Sequence, residues 1–142
     1  MNMTNDSRRP MPTPGTGSTE HPAFINVAGL MPVAALSHVV AHGQMVFVSG
    51  VLGTDAAGTL IGDTVEEQTA RAFANLRLAL AAVEADLINV VQVRVFLADC
   101  ADLAEMNHAY VSAFGKHRPA RTTVGGQLAL GAKIEIDCIA IR

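Results

Sequence analysis

The 142-residue sequence predicts an α+β fold, a mixed β-sheet with two helices packed on one face. Three observations carry that expectation. Five short apolar runs are rich in β-branched residues or alternate with period two. Two longer segments repeat apolar residues at spacings of three and four. Finally, apolar residues make up 50% of the chain and charged residues only 16%, against the usual quarter. A domain this small and this poor in charge leaves apolar surface over, so one sheet face is expected to need another subunit as its cover.

Ser37–Ala41 and Met45–Ser49 flank Gly43 and read as a hairpin, with Ser49-Gly50 ending the second strand. A turn-rich stretch, Gly53 to Thr59, follows. Asp63 or Thr64 is the expected N-cap of the first helix, with Glu66 and Glu67 in the first turn, where the helix dipole favours acids. Ala72, Phe73, Leu76, Leu80 and Val83 give its apolar stripe, and it should run to about Ala85. Val90–Leu97 is a third strand, with Val91, Val93, Val95 and Leu97 on one face. Asp102 starts a second helix carrying Leu103, Met106, Tyr110 and Phe114, and Gly115 ends it. A fourth strand begins near Ala120. In the fifth, Ile134–Ile141, one face carries Ile134, Ile136, Cys138 and Ala140, and the other Glu135, Asp137, Ile139 and Ile141. The order is ββαβαββ.

Residues 1–21 are rich in Met, Asn, Thr, Pro, Gly and Ser, without periodicity, and read as a flexible tail. Residues 22–142 are expected to form a single domain with one core. Cys100 and Cys138 lie 38 positions apart with no CxxC or Cys/His cluster. They read as reduced, partly buried thiols of a cytoplasmic protein. No apolar run approaches the length of a membrane span, and no apolar stretch follows Arg8 and Arg9 to make a secretory signal. A net charge of −3 without a basic patch excludes sequence-general nucleic-acid binding. His38 and His42 fall on a strand, where four residues span roughly 13 Å, too far to share one ion. Neither a metal nor a cofactor is expected.

Two charged residues stand out. Arg121 opens one strand, in Pro119-Ala120-Arg121-Thr122-Thr123-Val124, and Glu135 lies inside the next among isoleucines. Burying such charges is costly unless each has a partner or a task. Arg121 could pair with an acid such as Asp137, or its fork could hold a substrate carboxylate. Glu135 could face water, or work as an acid/base with its pKa raised by partial burial. Asp137, on the same face, reads as structural. Gly50 fits a close backbone approach, a sharp turn or a bulge.

These residues belong to a wider pattern. The pieces Leu36-Ser37-His38-Val39-Val40, Val46-Phe47-Val48-Ser49-Gly50 and Gly62-Asp63-Thr64-Val65-Glu66-Glu67-Gln68-Thr69 come first. Asn75-Leu76, Val95-Phe96-Leu97-Ala98-Asp99, Met106-Asn107, Pro119-Ala120-Arg121-Thr122-Thr123-Val124 and Ile134-Glu135-Ile136 follow. In that order and spacing, from about Phe24 to Arg142, the chain resembles the Rid (YjgF) family of reactive-intermediate deaminases. The resemblance implies a chorismate-mutase-like (YjgF-like) fold and a homotrimer with clefts between subunits. It implies hydrolytic deamination of 2-imino or 2-enamino acids to a 2-keto acid and ammonia. Arg121 would hold the substrate carboxylate, helped by the backbone N–H of Thr123. Glu135 would position the attacking water, and Asn107 would support the cleft through backbone contacts. Leu36, Ser49 and Gly50 would complete the substrate pocket. Leu36 stands where the family often has Tyr, so the expected substrate is a larger or more apolar imine. The alternative is a non-catalytic trimer of the same fold that binds a small carboxylate or regulates a partner. Other relatives have been assigned ribonuclease or chaperone-like roles, which the acidic composition and lack of aromatic platforms do not favour here.

Overall fold

A computed structural model describes residues 21–142; the expectation for the N-terminal tail therefore lies, but for its last residue, outside the described residues. Six strands form one sheet in the order β1-β2-β3-β6-β4-β5. They are β1 (Ala23–Ile25), β2 (Val39–His42), β3 (Met45–Leu52), β4 (Val90–Leu97), β5 (Ala120–Gly125) and β6 (Ile134–Ile141). Helix α1 (Val65–Ala81) joins β3 to β4, and α2 (Leu103–Phe114) joins β4 to β5. Only β4 and β5 are parallel; the other pairings are antiparallel. The sheet is mixed, as expected, because a strand–helix–strand crossover returns the chain in the same direction.

Hairpin β2–β3 turns at Gly43 and Gln44, and Gly43 takes φ of 56°, which glycine adopts without strain. Thr64 is the N-cap of α1. Its hydroxyl accepts from the Glu67 N–H at 3.1 Å, while Glu67 accepts from the backbone N–H groups of Asp63 and Thr64. Those backbone bonds hold the Glu67 carboxyl below the usual carboxylate range. The helix ends at Ala81, four residues before the expected Ala85, because Glu84 adopts φ of 59° and turns the chain.

Both helices cover one sheet face. Their Ala72, Phe73, Leu76, Leu80, Met106, Tyr110 and Phe114 pack with Val93, Val95, Leu97, Ile134, Ile136, Cys138 and Ala140. Each fully buried Leu or Ile here contributes about 1.5–3 kcal/mol relative to its exposed form. The other face keeps Met45, Phe47, Val91, Val124 and Ile141 exposed.

Four sequence expectations are corrected. Strand β1 was not expected; three residues after a proline are too few to show a period. Val91 does not join Val93, Val95 and Leu97. An irregularity in the β4–β6 register between Val90 and Gln92 gives that place to Val90, which is fully buried. Ser49-Gly50 does not end its strand but lies within β3, at a register shift between Val48 and Val51. Cys100 is exposed, not partly buried, because it sits in the turn before α2 rather than in the sheet.

Candidate active site

Arg121 stands on β5, the edge strand, opposite Val93 of β4. Its side chain therefore lies on the helix-covered side, where α2 receives it. The guanidinium donates from Nη1 to Oδ1 of Asn107 at 2.8 Å and lies 4.7 Å from the centre of the Tyr110 ring. Both groups come from one face of α2, three residues apart. One hydrogen bond and one ring thus fix an exposed cation while leaving the rest of its fork free. The contact of Asn107 with Arg121 is made by its side chain. Thr123, two residues along on the same side, has a buried Oγ1 without a hydrogen-bond partner.

Glu135 stands on β6 opposite Phe96, so it faces the uncovered side of the sheet. It is half-buried, and burial first, then the negative charge of Asp137, pushes its carboxyl above the usual carboxylate range. Asp137 does not pair with Arg121. It accepts from Arg94 at 2.9 and 2.6 Å in a two-pronged ion pair, which makes it structural, as its sequence reading holds. Gly50 explains how Glu135 fits. A Cβ at position 50 would lie 2.1 Å from Oε1 and 2.9 Å from Cδ of Glu135, so only glycine lets the carboxyl lie against β3. Ser49 donates its hydroxyl to the Ser37 carbonyl at 2.7 Å, and ties the segment before β2 to β3. A cavity of about 200 Å³ opens beside Glu135, lined among others by Leu36, Gly50, Met31 and Val33.

The expected site residues fall into two separate groups. Arg121, Asn107 and Thr123 form one group, and Leu36, Ser49, Gly50 and Glu135 the other. Glu135 and β5 are separated by β4, so the two groups are roughly 10 Å apart across the sheet and face opposite sides of it. Within one protomer, no small molecule can touch both. Among the described residues, no three His, Cys, Asp or Glu side chains cluster as metal ligands. Both His38 ring nitrogens are engaged, Nδ1 by the Val27 N–H and Nε2 by the Met31 carbonyl.

Sequence reasoning missed Tyr110 and the loop residues Met31 and Val33. The three-residue spacing from Asn107 to Tyr110 was available as a signal, but Tyr110 also fits the apolar stripe of α2. It does both, stacking edge-on with Phe73 while its ring meets Arg121. The loop residues carry no local pattern. His38 folds them over β2 and β3 through bonds reaching eleven and seven residues back.

A mixed sheet with two helices on one face, an edge-strand arginine and a half-buried glutamate define a small α+β protein with a candidate anion and proton-transfer site. The sequence profile described as Endoribonuclease L-PSP matches residues 27–142. The chain belongs to that family, the Rid (YjgF) family. It is 40% identical over 106 residues to the Reactive Intermediate Deaminase A, chloroplastic, of Arabidopsis thaliana, covering 73% of this chain and 57% of that protein's length. It is 35% identical over 116 residues to the protein MMF1, mitochondrial, of Saccharomyces cerevisiae, covering 80% of each. The structure of RidA from Psychrobacter sp. PAMC 21119 superposes with a TM-score of 0.80 at 28% identity, covering 84% of this chain and 99% of that one. No helix among the described residues is long and apolar enough to cross a membrane.

Proposed function

We propose that this protein hydrolyses 2-imino acids, or their 2-enamino tautomers, to 2-keto acids and ammonia. The reaction would occur in clefts where the Arg121 group of one subunit of a homotrimer faces the Glu135 group of the next. The observation that carries this reading is the division of the site. Two complementary half-sites lie on opposite sides of one sheet, and one of those sides is left open and apolar. A second copy seated on the open side would close that face and bring the halves together. The named deaminase relative supports the same chemistry.

The mechanism asks little of the protein. Arg121, held by Asn107 and Tyr110, takes both carboxylate oxygens of the substrate, and the Thr123 backbone N–H adds a third contact. Ionised Glu135 removes a proton from water as the water oxygen bonds to the imine carbon. The C=N electron pair moves to nitrogen, which is protonated. The carbinolamine then loses ammonia as its hydroxyl proton departs and the keto C=O forms. A carboxyl with a raised pKa suits this exchange because it holds a proton more readily than an ordinary glutamate and can still give it back. Positioning supplies most of the acceleration, since free imines already react with water. No cofactor and no nucleic acid enters the scheme. Two free thiols suit a cytoplasmic setting.

The experiment is ammonia release from imines generated in situ from several amino acids. Arg121→Ala removes a charge-assisted contact of about 1.5–3 kcal/mol and should lower the rate at least tenfold. Arg121→Lys should restore little of it, because an ammonium lacks the fork. Glu135→Gln should bind the keto-acid product normally and turn over slowly. Wild-type turnover by Arg121→Ala would remove the carboxylate clamp and the reading with it.

A further inference from the structure

The cavity beside Glu135 has walls that a small substrate does not need. Its about 200 Å³ is far above the ~10–15 Å³ that one water requires. Leu30, Met31 and Val33 come from the loop before β2, and Leu36 stands at the end of that loop, half-exposed. Leu52 closes the β3 side and Ala129 the side before β6. The polar members of the lining besides Glu135 are His38, Thr54 and Asn75. His38 uses both ring nitrogens on the loop backbone. Asn75 donates to the Leu52 and Thr54 carbonyls at 2.8 and 2.9 Å, and its buried Oδ1 has no hydrogen-bond partner. Glu135 thus faces a cavity whose loop wall, Leu30, Met31, Val33 and Leu36, is apolar.

We infer that this cavity seats the side chain of the substrate, and that it selects 2-imino acids with large aliphatic side chains over those with small ones. The inference rests on the reading of Glu135 as the residue that positions water at the imine carbon. With the carboxylate directed to the Arg121 group and the imine carbon at Glu135, the remaining substituent on that carbon points into the cavity. Leu36, Met31 and Val33 then set specificity. A hydrophobic wall of this kind gains about 1–3 kcal/mol per methylene that it covers. The loop is a firm wall, because His38 bonds it at two points, the Val27 N–H at 2.9 Å and the Met31 carbonyl at 3.0 Å.

Keto-acid products test the cavity without requiring turnover. Calorimetric titration of the full chain with 4-methyl-2-oxopentanoate and with pyruvate should give at least tenfold tighter binding of the branched acid. Leu36→Tyr, which fills the mouth and adds a hydroxyl, should reduce that ratio at least fivefold. Val33→Phe fills the cavity from the loop and should do the same, which guards against misfolding of either variant alone. Equal affinity for the two acids in the wild type, no binding of either, or a ratio that neither variant moves would overturn the inference. Ammonia release from the leucine- and alanine-derived imines separates this inference from the deaminase reading. Preferential binding of the branched acid with no turnover of any imine sinks the deaminase and leaves the cavity standing. Turnover of both imines at equal kcat/KM, with equal product affinity, sinks the cavity and leaves the deaminase.

Discussion

The two faces of the sheet solve opposite problems with the same strands. On the helix-covered face every inward residue of β6 from Ile134 to Ala140 is buried, and α1 and α2 supply the matching aliphatics and aromatics. That face is finished by the chain itself. On the other face Phe47, Met45 and Ile141 stay about 40% exposed around the Arg94–Asp137 ion pair. Glu135 lies at the end of that same row. The difference teaches where each link of the argument operates. The covered face determines the fold, and the open face holds half of the candidate chemistry.

The sharpest way to break the comparison is to charge the open face. Phe47→Asp should leave the domain folded but monomeric by light scattering, because an isolated carboxylate cannot be buried in an apolar interface. Ammonia release should vanish with assembly. A folded, active oligomer carrying that substitution would show that the face is not an interface. On the covered side the mirror experiment is Leu80→Ala. It should cost about 2–5 kcal/mol in denaturant unfolding, since the helix cannot collapse onto the space left behind. If Leu80→Ala and Phe47→Asp gave similar losses in folding stability, the two faces would not differ as described.

Gly50→Ala sits between these in effect. The added Cβ would need the space now held by the Glu135 carboxyl. Displacing that group by about 1 Å should lower kcat on the order of 100-fold while the melting temperature moves little. Normal turnover would mean that Glu135 does not work where it lies.

The smallest expected effect is on pH. Burial, then Asp137, raises the Glu135 pKa, so kcat/KM should rise as Glu135 loses its proton, at a pH above the ordinary glutamate value of about 4.3. Asp137→Asn removes one negative charge and frees the Arg94 cation nearby. Both changes favour the ionised carboxylate, so the acidic limb should move to lower pH. An upward move would mean that a different group controls the limb.

Local pattern made much of this protein legible. The period of three and four in Ala72, Phe73, Leu76 and Leu80 set α1, and Asp63 or Thr64 before the acidic Glu66 and Glu67 marked its start; the structure chose Thr64. Alternation from Ile134 to Ala140 identified which side of β6 is core. Arg121 and Glu135 stood out because each is a charge in a strand. The failures came where one residue shifts a local rule. The register irregularity after Val90 moved Val91 to the open face, and Glu84 ended α1 early by adopting a left-handed conformation.

What the sequence determined by itself was the two helices, the five longer strands and the two charged candidates, and it raised the expectation of a cover on one sheet face. Periodicity and composition are local properties, and they survive in a bare string of residues. Only the tertiary structure decided that Arg121 rests on Asn107 and Tyr110, and that Asp137 belongs to Arg94. It also decided that Gly50 makes room for Glu135, and that the two halves of the site face opposite ways. Each of those facts depends on strand order and side-chain direction across a twisted sheet, where residues far apart in the chain become neighbours. Gly50 and Glu135 are far apart in sequence, yet a Cβ at position 50 would lie only 2.1 Å from Oε1 of Glu135.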